Sequence, residues 1–377
     1  MSTIKTRSDG RGQIISSLYI HIPFCDNICN YCDFSKVLVK CFDQTKYIQS
    51  LIQEIKSYKI EDHTLKTIYI GGGTPSVLSL ENLEKLLSFL DAHFYPVDEF
   101  TFEANPESLT EDKIFLLSKY HINRVSLGVQ SVSNELLKKL NRKHEPKDVK
   151  KCVMLLRKHE IQNINLDFIY GIPGSTHTDI QDDLNFIYEL NPPHVSFYSL
   201  QIEEGTVFAI QKMQPYDEDK MREEYDFIND NLQQHGYERY EVSNFCKNGY
   251  ESKHNKTYWK DNQYYGCGVS ASGYVFDKRY TNTKSITHYL EGKTIQIQEK
   301  ITEPEMEFEY LMLNLRLVEG FSLDDFKERF KKDFLISYKE EINKCKEDLI
   351  IENNTLRIRP EKIYIMDSIL LNLLKEY

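Results

Sequence analysis

The chain has 377 residues and a net charge of -11 at pH 7, with 40% hydrophobic and 28% charged residues. This length is enough for one large and one smaller domain, and the composition is that of a globular protein. The acidic balance argues against nucleic acid as the main partner. No apolar run is long enough to cross a bilayer, and the basic N-terminus has no apolar stretch behind it, so neither a transmembrane segment nor a secretory signal is predicted.

These features predict a cytoplasmic protein in a reducing compartment. Its eight cysteines are then expected to be thiols or metal ligands, not disulfides. Peripheral contact with a membrane surface stays an open alternative, although no amphipathic anchor stands out.

The first two thirds of the chain alternate strands with helices. Six strands are predicted, at 17–22, 67–70, 99–103, 124–130, 164–170 and 194–200. The segments between them, and a charged segment at 217–235, have helical spacing. This alternation predicts a parallel sheet, and six units predict an incomplete (β/α)6 barrel, about three quarters of a full TIM-like ring.

The pattern changes after residue 235, where short aromatic stretches precede a helical region from 302 to about 350. We therefore predict a flexible tail at 1–16, a barrel domain at 17–235, and a smaller α+β domain at 236–377. The smaller domain is expected to close the open side of the barrel.

A cysteine-rich loop follows the first strand, in the sequence HIPFCDNICNYCDF. Cys25, Cys29 and Cys32 form a CxxxCxxC motif, and three thiolates on one short loop can reach one cubane cluster. A four-iron cluster needs four ligands, so one iron stays open for a reactant. A zinc site or free cysteines are the alternatives. Zinc needs a fourth ligand, and the nearest further cysteine, Cys41, lies outside the loop.

The cysteine motif followed by a partial barrel resembles the radical SAM superfamily. HIPFCxxxCxYCDF is similar to the group of oxygen-independent coproporphyrinogen oxidases and HemW-type heme chaperones. The resemblance implies a [4Fe–4S] cluster whose open iron binds the amino and carboxylate groups of S-adenosylmethionine (SAM). It also implies reductive cleavage of SAM to a 5′-deoxyadenosyl radical, chemistry that belongs to the cofactor while the protein orients and shields it.

A glycine-rich turn, Gly71-Gly72-Gly73-Thr74-Pro75, follows the second strand. Glycines let the backbone approach a ligand closely, and its carbonyls can accept from the SAM amino group. A simple tight turn is the alternative. The position of this turn after the second strand of such a barrel favours a SAM site.

Polar residues occupy further strand ends, where barrel enzymes place their chemistry. Glu103, Gln130 and Asp167 lie on the third, fourth and fifth strands, and Arg142 lies beyond the fourth. A buried salt bridge between Arg142 and Asp167 is the structural alternative. The resemblance instead implies SAM contacts, by Tyr19, Tyr31, Gly72, Gly73, Thr74, Glu103, Gln130, Arg142 and Asp167. Whether one or two SAM molecules bind stays open.

Two positions discriminate within the group. The oxidases carry a further cysteine two residues after the last cluster ligand, where this chain has Phe34. The HNxxYW motif at 254–259 is typical of the HemW type, where it is associated with heme binding. His254 is therefore a candidate ligand of heme iron, with Trp259 beside the porphyrin. A surface histidine next to packed aromatics is the alternative. Ala271-Ser272-Gly273 replaces the GAHS-like segment of many relatives, so no role of that histidine carries over.

The sequence thus predicts a SAM- and [4Fe–4S]-binding heme chaperone that passes heme to apo-hemoproteins and takes electrons from a donor. The first alternative is oxygen-independent decarboxylation of coproporphyrinogen III. The second is another radical SAM enzyme acting on a porphyrin-like substrate. The missing fourth cysteine argues against the oxidase, so coproporphyrinogen turnover is not expected.

Overall fold

A computed structural model describes residues 14–61, 64–95 and 97–374. The first elements are β1 (Ser17–Ile22), β2 (Phe24–Cys25), β3 (Val37–Leu38), α1 (Gln44–Ser57), β4 (Thr67–Gly72), α2 (Leu80–Phe94), β5 (Glu99–Ala104), α3 (Glu111–Lys119), β6 (Arg124–Gln130), α4 (Asn134–Lys139), α5 (Pro146–Lys158), β7 (Asn163–Tyr170), α6 (His177–Leu190), β8 (His194–Ser199), α7 (Val207–Ile210) and α8 (Glu218–Gln234).

The remaining elements are β9 (Glu238–Arg239), β10 (Asn244–Cys246), α9 (Lys253–Trp259), β11 (Tyr265–Cys267), β12 (Ser272–Val275), β13 (Lys278–Asn282), α10 (Ile286–Leu290), β14 (Ile295–Lys300), α11 (Glu303–Asn314), β15 (Phe321–Ser322), α12 (Leu323–Phe330), α13 (Phe334–Ser337), α14 (Lys339–Cys345), β16 (Leu349–Glu352), β17 (Thr355–Ile358) and α15 (Met366–Asn372). Short 3-10 turns lie at Val39–Cys41, Pro75–Val77, Lys346–Asp348 and Pro360–Ile365.

The main sheet has the strand order β11-β1-β4-β5-β6-β7-β8-β10-β9 among the described residues. Neighbouring strands from β1 to β8 in this order are parallel, and the connecting helices pack on its apolar face. This arrangement confirms the predicted partial (β/α)6 barrel. The carboxyl ends of its strands meet at one edge, which is where barrel enzymes place their sites.

The helices begin where the sequence supplies caps. Asp43 accepts hydrogen bonds from the amides of Thr45 and Lys46 at the start of α1. Thr176 forms a capping box with Asp179 at the start of α6, and Pro146 occupies the first turn of α5. These residues satisfy amide groups that the first turn of a helix leaves unpaired.

The strands of the barrel are apolar on one face and polar on the other. In β1, for example, Leu18 and Ile20 lie in the main hydrophobic core, whereas the hydroxyl of Ser17 bonds to that of Thr67 on β4 at 2.9 Å. On β7, the amide of Asn165 donates to Ser126 of β6 at 2.8 Å. Barrel interiors are usually filled with branched apolar side chains. This one carries hydrogen bonds across its strands, which pair several of its buried polar groups.

The predicted division at 235/236 differs from the structure, because β9, β10 and β11 belong to the barrel sheet. β10 pairs antiparallel with β8, and β11 pairs parallel with β1. Strands of two or three residues have too little periodicity to be identified in the sequence. A second hydrophobic core lies further along the chain, and it joins residues between Tyr274 and Leu373 around Phe326.

The predicted tail at 1–16 lies outside the described residues up to position 13. Ile15 is buried in the main core, so the folded chain begins before the first strand. Within the described ranges, none of the helices combines the length and apolar character that a bilayer-spanning segment needs.

Candidate functional site

A cavity of about 510 Å³ opens at the carboxyl ends of the barrel strands. The predicted site residues that line it are Cys25, Cys29, Tyr31, Cys32, Gly72, Gly73, Thr74, Glu103, Gln130, Arg142 and Asp167. The fold therefore brings together residues that are up to 142 positions apart in the sequence. Tyr19 and His254 are not part of this lining.

The cysteine loop is held in place from both sides. Its first cysteine, Cys25, lies in β2, which pairs with β3. Two asparagines anchor the loop to the end of α4: the side chain of Asn27 donates to the carbonyl of Asn141 at 2.6 Å, and that of Asn30 donates to Lys139 at 2.8 Å. Main-chain anchoring of this kind positions ligands before a metal binds.

Burial disfavours the thiolate form of these cysteines in the protein without metal. It raises the pKa of Cys25 to about 11 and also raises the pKa of Cys32, against which the Lys36 cation acts. Metal binding requires thiolates, so it releases protons and overcomes this cost. Within the described ranges, no three His, Cys, Asp or Glu side chains converge to hold a single ion. The ligands of a cubane bind different irons and stand further apart, so this geometry does not test the cluster.

The glycine-rich turn packs directly against the cysteine strand. The amides of Gly73 and Thr74 donate to the carbonyls of Ile22 and Phe24, each at 2.8 Å. A Cβ on Gly73 would lie 2.8 Å from the Phe24 oxygen and 3.0 Å from the Cys25 sulfur. This close approach requires glycine and places the turn beside Cys25.

Glu103 ties the same turn to the barrel interior. Its carboxylate accepts from the Tyr69 hydroxyl at 2.6 Å and from the Gly72 amide at 3.1 Å. Burial raises the pKa of Glu103 to about 7, against the effect of these hydrogen bonds. A carboxyl in such surroundings gains from a cationic or hydroxylated ligand.

Arg142 points toward the cysteine loop. One guanidinium nitrogen donates to Asn105 at 2.8 Å and to the carbonyl of Gly128 at 3.0 Å, and the other lies 3.7 Å from the Cys29 sulfur. Its Nε is buried without a hydrogen-bond partner among the described residues. Arg142 lines the cavity, and its guanidinium group fits a ligand with a carboxylate.

The alternative of a salt bridge between Arg142 and Asp167 is not formed. Asp167 accepts instead from Ser126 and Asn165, both at 2.8 Å. Gln130 has a φ of 67° at a bulge in β6, and this irregularity redirects its side chain. Both residues therefore face the cavity without using each other or Arg142 as a partner.

The two predicted tyrosines differ in position. Tyr31 lines the cavity and packs on a small apolar cluster that includes Leu140 and Phe208. The hydroxyl of Tyr19 bonds to Nδ1 of His21 at 3.0 Å, and its ring centroid lies 6.1 Å from that of Tyr69, a residue of the cavity lining. Tyr19 is not part of the cavity lining, and its contact with SAM stays a prediction.

His254 lies at the other end of the barrel and is fully buried. Its Nδ1 bonds to Thr67 and its Nε2 to Tyr258, both at 2.8 Å. Burial, with a smaller contribution from Arg124, lowers its pKa to about 3. Both ring nitrogens are therefore hydrogen-bonded inside the barrel, and ligation of heme iron by His254 stays a prediction. The sequence motif could not show this, because the partners come from distant elements.

Three further residues of the cavity were not predicted. Asn105 links Thr74 to Arg142, Tyr69 holds Glu103, and Tyr198 from β8 is 42% exposed at the opening. The first follows Glu103 by two positions in the EANP segment, so it was within reach of the sequence analysis. Phe34, the discriminating position, lies at the cavity rim with 65% of its surface exposed.

Known proteins resemble this chain over most of its length. The Radical SAM superfamily model matches residues 19–187, and the HemN C-terminal domain model matches 301–362. A protein named heme chaperone HemW from Lactococcus lactis is 42% identical over 91% of this chain and 92% of its own. Proteins of the same name from Bacillus subtilis and Escherichia coli are 37% and 35% identical, over 84% and 81% of this chain and 87% and 83% of theirs.

The chain belongs to the HemW family. The solved structure of HemN, the coproporphyrinogen III oxidase from Escherichia coli, superposes with a TM-score of 0.84 over 96% of this chain and 90% of its own, at 20% identity. At that identity the likeness shows that HemW-family and HemN chains share the fold, and no more than that.

Membership of the radical SAM superfamily brings a [4Fe–4S] cluster and SAM as cofactors. The residues of this HemW-family chain fit both groups. Three cysteines face one cavity, a glycine turn leaves room beside them, and Arg142 offers an unpaired buried donor. The carboxyl groups of Glu103 and Asp167 complete a polar wall.

Proposed function

We propose that this protein is a heme chaperone, which binds heme and passes it to an apo-hemoprotein. The observation that carries the proposal is its relation to proteins named heme chaperone HemW, with up to 42% identity over nine tenths of the chain. Residues outside the cavity are part of that likeness, so the proposal covers the whole protein and not only the barrel.

The cofactor residues form the second part of the proposal. Cys25, Cys29 and Cys32 hold the cluster, and the cavity wall holds SAM through Gly72, Gly73, Thr74, Glu103, Gln130, Tyr31, Arg142 and Asp167. When bound, the cluster supplies one electron for cleaving the sulfonium of SAM. The protein accepts hydrogen bonds through its carboxylates, donates through Arg142, and excludes water around the three thiolates.

An electron donor is the remaining partner that we propose. It has to reach the cysteine loop, in which Cys29 and Cys32 are half-buried and Phe34 is exposed. The exposed ring gives a partner an apolar contact close to the cluster ligands. The same position carries cysteine in the oxidases, which is why we favour heme handling over porphyrinogen oxidation.

The deciding experiment compares two activities of one reconstituted preparation. Under anaerobic conditions with SAM and a reductant, coproporphyrinogen III is expected to stay unchanged. Heme loaded on the protein is expected to move to an apo-hemoprotein, with the absorption spectrum of the acceptor as the measurement. Formation of protoporphyrinogen IX, or failure of heme to leave the loaded protein, would refute the chaperone proposal.

The cluster assignment has a separate test. Cys29→Ser is expected to lose most of the iron and sulfide, which the wild type holds at about four of each per chain. Cys41→Ser is the matched control, because Cys41 is exposed in a 3-10 turn outside the loop. Full iron content in Cys29→Ser would remove Cys29 from the ligand set.

A further inference from the structure

Helix α9, which carries the HNxxYW motif, closes the barrel at the end opposite the cavity. Glu99, at the start of β5, accepts hydrogen bonds from the amides of Lys253 at 2.8 Å and His254 at 3.0 Å. Ser17, at the start of β1, bonds to Thr257 at 3.0 Å. Residues at the start of β1 and β5 thus hydrogen-bond to α9, so the motif is part of the barrel wall.

The hydrogen bonds of the His254 ring fix its orientation. Thr67 donates its hydroxyl proton to Ser17, so it accepts from Nδ1–H of His254. The remaining nitrogen, Nε2, then accepts from the hydroxyl of Tyr258. The lone pair of Nε2 therefore accepts a hydrogen bond inside the protein. The two hydrogen bonds together fix the orientation of the ring.

The ring of His254 packs on Tyr69, and this contact leads directly to the cavity. The two ring centroids are 5.1 Å apart with planes tilted by 31°. Tyr69 extends along the barrel interior and donates its hydroxyl to Glu103 at 2.6 Å. Glu103 in turn accepts from the amide of Gly72 at 3.1 Å. Three consecutive contacts therefore join the motif to the glycine-rich turn.

The last of these contacts leaves little room for adjustment. A Cβ on Gly71 would lie 2.8 Å from both the Glu103 carboxyl carbon and the Tyr69 ring. Such close packing transmits a displacement of the tyrosine to the turn instead of absorbing it. The position of the Gly72 amide therefore depends on the His254 ring, which packs on Tyr69.

We propose that His254 is a positioning residue for SAM, which acts through Tyr69 and Glu103 on the glycine-rich turn. It does not touch SAM, and it does not bind heme iron. The proposal rests on the SAM site of the radical SAM superfamily and is independent of the proposed heme function. The HNxxYW motif, at the end of the barrel opposite the cavity, would thus help to position the residues that bind SAM.

Equilibrium binding of SAM to the reconstituted protein tests the proposal, at a temperature well below unfolding. His254→Ala is expected to weaken SAM binding about tenfold. His254→Asn is expected to recover part of the loss, because its amide can still donate to Thr67. Tyr69→Phe removes only the hydroxyl that holds Glu103 and is expected to weaken SAM binding as well. The double variant should lose less than the sum of the two, since both act on one path.

Tyr289→Phe is the matched control. Tyr289 donates to a buried carboxylate, Glu54, which also accepts from the Gly268 amide at 2.8 Å, but this group lies outside the cavity lining. This variant is expected to keep both SAM affinity and the SAM-dependent change in the electron paramagnetic resonance spectrum of the reduced cluster. His254→Ala should lose much of that spectral change while its iron content stays at the wild-type value.

Two results would overturn the proposal. One is SAM affinity within about twofold of wild type in both His254→Ala and Tyr69→Phe. The other is loss of the heme Soret band in His254→Ala with SAM binding retained, which would return the residue to iron ligation. If His254→Ala does not fold, His254→Asn and Tyr258→Phe, which removes the hydroxyl bonded to Nε2, replace it, and SAM affinity within about twofold of wild type in both would overturn the proposal.

Discussion

Many of the residues that lie at the cavity were predicted from the sequence, but not all of their hydrogen-bond partners were. Glu103, Gln130 and Asp167 were expected at strand ends, and all three face the cavity. His254 was expected to bind heme, and the structure shows both of its ring nitrogens hydrogen-bonded within the protein. The type of a residue and its position on a predicted strand indicate where in the fold its side chain lies. They do not predict which distant groups already occupy its polar atoms.

The buried carboxyl of Glu103 gives a prediction of pH dependence. Its pKa is about 7 in the folded protein and about 4.5 when exposed, so the folded state binds the proton more tightly. This contribution to stability is complete below about pH 4.5 and is lost as the pH rises through about 7. Glu103→Gln removes this titration. The free energy of unfolding of the variant, relative to wild type, is therefore expected to increase by about 2 kcal/mol from pH 5 to pH 8.

Thermal or denaturant unfolding of the SAM-free protein at the two pH values provides the measurement. Glu54 and Glu241 also have pKa values raised to about 7 by burial, but they titrate in both proteins and cancel in the difference. A difference between variant and wild type that stays constant with pH would contradict the prediction.

At the scale of elements, the glycine-rich turn and β2 behave as one unit. The turn was predicted to approach SAM, and the structure adds that it also touches the cysteine strand through Gly73. Proximity of two loops that are about 45 residues apart follows from strand order in the barrel, which pairs β1 with β4.

Gly73→Ala is therefore expected to disturb the cysteine loop. The new methyl group would press on the carbonyl of Phe24 and the sulfur of Cys25, so iron content after reconstitution should fall, with a loss of stability of about 1–3 kcal/mol. Gly249→Ala is the control, since its Cβ would meet nothing within 4 Å although its φ is +84°. It should cost about 1 kcal/mol and keep its iron. Equal iron loss in both variants would contradict the expected local effect.

At the scale of the whole molecule, two large hydrophobic cores stabilise different parts of the described chain. The main core supports the barrel and its edge strands, and the second surrounds Phe326 in the C-terminal part. β9 to β11 lie beyond the boundary expected at 235/236 and complete the sheet before the second core begins. Sequence distance was a poor guide here, since short edge strands return to a sheet formed much earlier in the chain.

This division predicts a local response to core damage. Phe326 is fully buried, so Phe326→Ala is expected to destabilise the second core by about 3–5 kcal/mol. Hydrogen exchange should rise mainly in residues 303–373, while the cluster and SAM binding stay intact. Phe115→Ala, at a ring 55% exposed on α3, should change neither. A uniform rise in exchange across the barrel would show that the two cores unfold together.

The sequence by itself determined the barrel and the family, and it placed the three candidate cluster cysteines on one loop. Their signals are local: three cysteines within eight positions, six periodic strands, and short motifs that need no distant partner to be read. Only the tertiary structure decided that Tyr19 bonds to His21, that Arg142 faces Cys29 instead of Asp167, and that His254 packs on Tyr69. The last two outcomes depend on which side chains meet across the barrel, and these two contacts join residues more than a hundred positions apart.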